Sequence, residues 1–254
     1  MSAAAIGLLF ILGAVFGSFF FTLAIRLGNA QYRGVYKTVF TRRSHCTSCG
    51  KTLSPLYLIP VAGYFIAKGK CSSCGARFSP AYPAAEIIAG ILCVFTAYSG
   101  GISPVTFSEY LFMMTVLSAA ITDIRSMTIP HTHVFLALAL SLPSIAYSGE
   151  WLSALGGAAL LGGVFLLIII IFPGGFGGGD FKLAAVIGFF LRFDHSIVAL
   201  EGALVIGSVI GVSYAIITKK GLRIRIPFAP FLAAGLILAY FFGNRILLHY
   251  YGLF

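Results

Sequence analysis

From Met1 to Ile25 the chain carries no charged side chain, and apolar runs return near 84–99, 105–122, 132–148, 151–172, 181–192, 196–217 and 227–244. About 20 consecutive apolar residues cross the hydrocarbon core of a bilayer as a helix. The expected fold is therefore an all-α polytopic membrane protein with about eight transmembrane helices. The 181–192 run is the shortest and can cross only if it tilts or borrows neighbouring residues. Charged residues make up 9% of the chain, against roughly 25% in an average soluble domain. Too few charges remain to build a water-facing skin.

The charges that remain are mostly positive, 17 Lys and Arg against 7 Asp and Glu. They lie in short stretches between apolar runs, which points to membrane lipids and membrane orientation rather than to nucleic acid. No Lys or Arg precedes Arg26, so the N-terminus lacks the basic start of a cleavable signal peptide and reads as a retained first span. With the N-terminus outward, fifteen of the seventeen basic residues fall on the cytoplasmic side, leaving Arg192 and Arg245 outside. Basic loops favour the cytoplasm, so this orientation is the expected one. The organisation follows: a first transmembrane helix over 1–27, a cytoplasmic insert over 28–82, and a transmembrane core over 83–254.

The insert contains no acid and four of the five cysteines. Cys46-Thr-Ser-Cys49 and Cys71-Ser-Ser-Cys74 form two C-x2-C knuckles separated by 21 residues, close to zinc-ribbon spacing. Each knuckle offers two thiolates, and two knuckles complete a tetrahedral structural zinc site. Gly50 and Gly75 follow the knuckles, where a tight turn benefits from positive φ. Two disulfides are the competing use, which a reducing cytoplasm disfavours. His45 is an alternative ligand or a bystander, and Cys93, alone in an apolar span, reads as a small core residue.

Of three aspartates, Asp194 sits in a short outer turn with Arg192 and His195 and reads as solvated. Asp123 ends an apolar run, and Asp180 follows Pro173-Gly-Gly-Phe-Gly-Gly-Gly179. The orientation places both at the cytoplasmic face. A glycine-rich break at membrane depth requires protein or a water-filled cavity to satisfy its backbone, and intramembrane carboxylates default to function. The plainer readings are that Asp180 caps a helix and that Asp123 pairs with Arg125. If the two meet, like charges a few ångströms apart repel by about 4 kcal/mol at an effective dielectric near 20. One then keeps a proton and the pair titrates as a unit. The ionised member can deprotonate a water attacking a peptide carbonyl, and the protonated one can polarise that carbonyl and assist the leaving amine.

Six segments in order resemble the type IV prepilin peptidases, leader peptidases that are also N-methyltransferases. They are Gly17-Ser18-Phe19 before Arg26-Leu27; the insert from Arg43 through Cys74, with Ile59-Pro60 inside it; Tyr82-Pro83-Ala-Ala-Glu86; Asp123 with Ile129-Pro130; Gly177-Gly-Gly-Asp180-Phe-Lys182-Leu183; and Ile226-Pro227-Phe228-Ala-Pro230-Phe231. The resemblance implies a catalytic pair of Asp123 and Asp180. The implied substrates are type IV prepilin or pseudopilin precursors, whose short basic leader is cut at the cytoplasmic face of the bacterial inner membrane. It implies methylation of the new N-terminus from S-adenosylmethionine, with Glu86 a weak candidate for binding or methyl transfer and a helix-start acid equally plausible. Three positions depart from the family pattern. His131 stands where an acid usually follows Pro130, Phe21 where asparagine is common, and Ala229 where glycine is frequent. Two rival classes compete: a transporter with an intramembrane aspartate, and a non-enzymatic zinc-anchored assembly subunit. A transporter would predict paired broken helices in two related halves, and only one glycine-rich break is present.

Overall fold

The computed structural model describes residues 1–29, 43–171, 177–218 and 226–251. Arg33, Lys37, Arg42, Pro173 to Phe176, Lys219, Lys220, Arg223 and Arg225, which entered the orientation and glycine-break arguments, lie outside the described residues. The described chain is helical, with two isolated antiparallel bridges and no longer strand. The long helices are α1 (Ala3–Leu27), α3 (Ala81–Gly100), α4 (Pro104–Ser126), α5 (His131–Ser148), α6 (Trp151–Ile171), α7 (Gly178–Thr218) and α8 (Ala229–Tyr251). A 3₁₀ turn (Pro55–Leu58) and the short α2 (Ala62–Ile66) lie in the insert. Among the described residues six helices are long and apolar enough to cross a membrane, namely α1, α3, α4, α6, α7 and α8. α5, expected as a span, is not among them; it opens with His131 and His133 and contains Pro143.

The expected spans 181–192 and 196–217 appear as one 41-residue helix, α7, with a break at Arg192 (φ 63°, ψ −179°). At 1.5 Å per residue, a straight helix of that length would measure about 60 Å, twice the hydrocarbon thickness. It is not straight. The Ser196 hydroxyl donates to Gly188 O at 3.2 Å and also to Arg192 O. Residues eight apart stand about 12 Å apart along a straight helix, so the chain bends sharply here. Ser153 Oγ accepts from Phe193 N–H at 3.2 Å, and Arg192 Nε lies 3.0 Å from Glu150 Oε2. Asp194 is exposed, as expected of a turn residue.

The chain forms two compact units, Met1–Tyr110 and Leu111–Phe254, with the boundary inside α4. In the first, α1 packs on α3 through glycines. A Cβ on Gly13 would stand 2.5 Å from Cys93 Cβ and 2.8 Å from Ala89 O, and one on Gly17 would clash with Ala89 Cβ. Gly13 and Gly17 are four apart, the small-residue spacing that lets membrane helices approach closely. The buried Tyr110 hydroxyl donates to Gly13 O at 2.9 Å.

In the second unit, α7 packs against α6 and α8. Phe112 stacks on Phe190 at 4.0 Å, and Phe190 stacks on Tyr240 at 6.0 Å. Gly157 of α6 and Gly188 of α7 meet backbone to backbone: a Cβ on either would collide with the carbonyl oxygen of the other. Neither helix can yield to a methyl group without moving apart. Gly188→Ala is therefore expected to destabilise the protein by about 3 kcal/mol or more, read as a lowered thermal midpoint in detergent. Gly163, on the same α6 with open space at its Cβ, should accept alanine without loss.

Candidate active site and tetracysteine centre

Asp123 lies in the last turn of α4, buried at 5% exposure. Its Oδ2 accepts from the backbone N–H of Ala229 at 3.2 Å. Ala229 is the first residue of α8, so the carboxylate faces a helix N-terminus with its unpaired amides and positive dipole end. Pro227 and Pro230 flank that start, where a missing N–H costs the helix nothing. This contact spans 106 positions of sequence.

Asp180 is the third residue of α7 and is 9% exposed. Its Oδ2 accepts from Gly177 N–H at 2.9 Å, which satisfies an amide just before the helix as the acidic half of a capping box does. Its Oδ1 is buried with no hydrogen-bond partner among the described residues.

The two aspartates lie in the same unit, and Asp180 is within range of the charge of Asp123. The segments carrying them touch. Ile129, just past α4, packs so closely on Gly179 that a Cβ there would stand 3.0 Å from Ile129 Cβ. Glycine at 179 is thus what lets the Ile129-Pro130 turn approach the start of α7. The structure does not pair Asp123 with Arg125, which is exposed. Sequence reasoning missed His133, which is buried with Nε2 2.9 Å from Ser118 Oγ and with no partner for Nδ1 among the described residues. Its neighbour His131, the departure noted above, is exposed.

The insert builds two matching knuckles. Cys46 N–H donates to Lys51 O (2.9 Å) and Gly50 N–H to Cys46 O (2.9 Å); Cys71 N–H donates to Ala76 O (2.8 Å) and Gly75 N–H to Cys71 O (2.9 Å). Gly50 and Gly75 both take positive φ, 73° and 71°. The four sulfurs lie within 4.8 Å of one another, with Cys46 Sγ to Cys74 Sγ 3.7 Å and Cys49 Sγ to Cys71 Sγ 3.9 Å. A zinc–sulfur bond of about 2.3 Å gives a tetrahedron with edges of about 3.8 Å, so the donor set fits a zinc ion. All four thiols are free. Hydrogen bonds from the Cys49 and Ser48 amides lower the Cys46 thiol to about 6, and those from Ser73 and Cys74 lower Cys71. These amides favour the thiolates a metal requires. His45 directs Nδ1 to Arg43 O at 3.0 Å and stands outside the cluster.

Glu86 of α3 accepts the Val61 N–H on Oε2 at 2.6 Å and is 7% exposed. The contact gives Glu86 a structural partner of its own, five residues into α3. The bond ties the insert to α3. Glu86→Ala would strand the Val61 amide, at an expected cost of about 1–3 kcal/mol. Glu86→Gln keeps an acceptor and should recover most of that, with hydrogen exchange at Val61 as the local readout.

Comparison with known proteins gives two family matches. Residues 11–99 match the bacterial peptidase A24 N-terminal domain, and residues 110–212 match the type IV leader peptidase family. A prepilin leader peptidase/N-methyltransferase from Bacillus subtilis (strain 168) is 37% identical over 248 residues, covering 96% of this chain and 97% of the relative. Proteins of the same name from Legionella pneumophila and Pseudomonas putida are each 26% identical, covering 84% and 80% of this chain and 77% and 73% of those relatives. No solved structure matches significantly.

Proposed function

Because this chain belongs to the type IV leader peptidase family of membrane-embedded aspartic peptidases, we propose that it cleaves the basic leader of prepilin or pseudopilin precursors, with Asp123 and Asp180 as the catalytic pair. The observation that carries the reading is the burial of both carboxylates in one unit, with the segments that carry them in contact through Ile129 and Gly179. Backbone amides fix Oδ2 of each carboxylate and so pre-orient the pair.

Sharing one proton, the pair divides the labour of hydrolysis. The ionised carboxylate takes a proton from water as its oxygen bonds to the scissile carbonyl carbon. The protonated carboxyl donates to the carbonyl oxygen. Collapse of the tetrahedral intermediate breaks the C–N bond, and a proton passes to the leaving amine, giving one acid and one amine per water consumed.

In this proposal residues 1–27 are the first span, 28–82 the zinc-binding insert held by Cys46, Cys49, Cys71 and Cys74, and 83–254 the peptidase core. The N-terminus faces outward and the insert faces the cytoplasm, where a basic leader would remain. Methylation of the new N-terminus from S-adenosylmethionine is the second proposed activity, supported by the names of the relatives. The test is incubation of the purified protein in detergent with a prepilin-like peptide, followed by mass spectrometry. Cleavage at the leader junction, and a single methyl increment when the methyl donor is supplied, are the expected products. A cleaved but never methylated product would leave a peptidase alone, and an intact peptide would favour the transporter or assembly-subunit classes.

A further inference from the structure

The 3₁₀ turn and α2 form a tight hairpin in the insert: Gly63 N–H donates to Ile59 O at 2.7 Å, and a Cβ on Gly63 would strike the Tyr57 carbonyl. Its apolar side chains point outward. Leu56 is 59% exposed, Phe65 68% and Ile66 51%, with Leu58 and Ile59 also exposed. Exposed apolar residues clustered in so short a segment mark an interaction surface.

The place of this hairpin is fixed by one bond. The Val61 N–H that Glu86 accepts belongs to the residue joining the 3₁₀ turn to α2. Glu86 stands five residues into α3, a rise of about 7.5 Å from its start. The hairpin is therefore tethered beside the first turns of a helix long and apolar enough to span a membrane. Its flanks are basic: Lys51, Lys68 and Lys70 are exposed, and no acid occurs before Glu86. A surface that is apolar and cationic suits an anionic leaflet. A substrate with a basic leader would meet like charge there.

We propose that the Pro55–Ile66 hairpin is an interfacial membrane anchor. Its exposed apolar side chains enter the boundary of the leaflet at which α3 begins, its lysines engage anionic headgroups, and Glu86 sets its depth. The inference rests on α1 and α3 spanning the membrane and is independent of the catalytic assignment.

The test uses the full chain carrying Trp151→Phe, so that Phe65→Trp is its sole tryptophan, reconstituted in vesicles of phosphatidylethanolamine and phosphatidylglycerol. Blue-shifted emission that is largely lost to lipids brominated high on the acyl chain, and resists aqueous acrylamide, is the expected result. Leu56→Trp in the same background provides a second reporter should Phe65→Trp misfold. Water-like emission from both, quenched by acrylamide and indifferent to brominated lipid, would overturn the proposal. So would a blue shift that appears only after a prepilin-like peptide is added, which would make the surface a peptide site. Lys51, Lys68 and Lys70 changed together to glutamine should weaken lipid quenching with phosphatidylglycerol present and leave it unchanged in pure phosphatidylcholine. Equal behaviour in both lipids would remove the headgroup role. None of these readouts uses cleavage, so an inactive preparation would not decide them.

Discussion

Asp123→Asn and Asp180→Asn, made one at a time, should each lower prepilin cleavage by about two to four orders of magnitude, the usual worth of a positioned acid or base. Asparagine has nearly the shape of aspartate and keeps a side-chain oxygen. The Ala229 and Gly177 amides therefore retain an acceptor, and both helix starts should persist. What is lost is the capacity to take up and release a proton. Because the pair acts as a unit, the double variant should be scarcely worse than either single one. Alanine would instead also strip the caps, costing about 0.5–2 kcal/mol of stability at each site. Comparing asparagine with alanine thus separates catalysis from folding. Substantial cleavage by both asparagine variants, in protein with an unchanged thermal midpoint, would end the dyad assignment.

Much of this architecture is written in local pattern. Apolar runs near the length of a bilayer crossing appear as helices, and the break between 181–192 and 196–217 falls at Arg192 within a single α7. The cysteine knuckles were legible because the same short motif occurs twice, each copy followed by a glycine with positive φ. Asp180 was flagged by its glycines, though Pro173 to Phe176 lie outside the described residues. What stayed hidden depends on contact between distant segments. The Ala229 amide that holds Asp123 is 106 residues away, and the Val61–Glu86 bond spans 25. Helices that are apolar around their whole circumference do not announce which face packs, because lipid and protein neighbours both accept apolar side chains. The Gly13–Gly17 spacing was a visible signal for close packing, whereas the Gly157–Gly188 contact between α6 and α7 had no local signature.

Replacing a core cysteine of the insert should have the second large effect. Metal analysis of the purified protein is expected to find about one zinc per chain. Cys46→Ser or Cys71→Ser should reduce that to near zero, since three sulfurs and a poor oxygen donor no longer complete the tetrahedron. Of the four knuckle cysteines these two are buried, at 2% and 5% exposure, whereas Cys49 and Cys74 are exposed. Within each knuckle the described backbone makes one antiparallel bridge, His45 to Thr52 and Lys70 to Arg77. Metal binding in such small domains is worth about 10–16 kcal/mol of apparent free energy at neutral pH, far more than those bridges supply. Zinc loss should therefore unfold the insert while leaving the helices of the Leu111–Phe254 unit intact. Limited proteolysis would then cut rapidly between Arg43 and Arg77, and helical content would fall only slightly. A metal-free preparation that resists protease in this segment would show that the knuckles are held by something other than an ion.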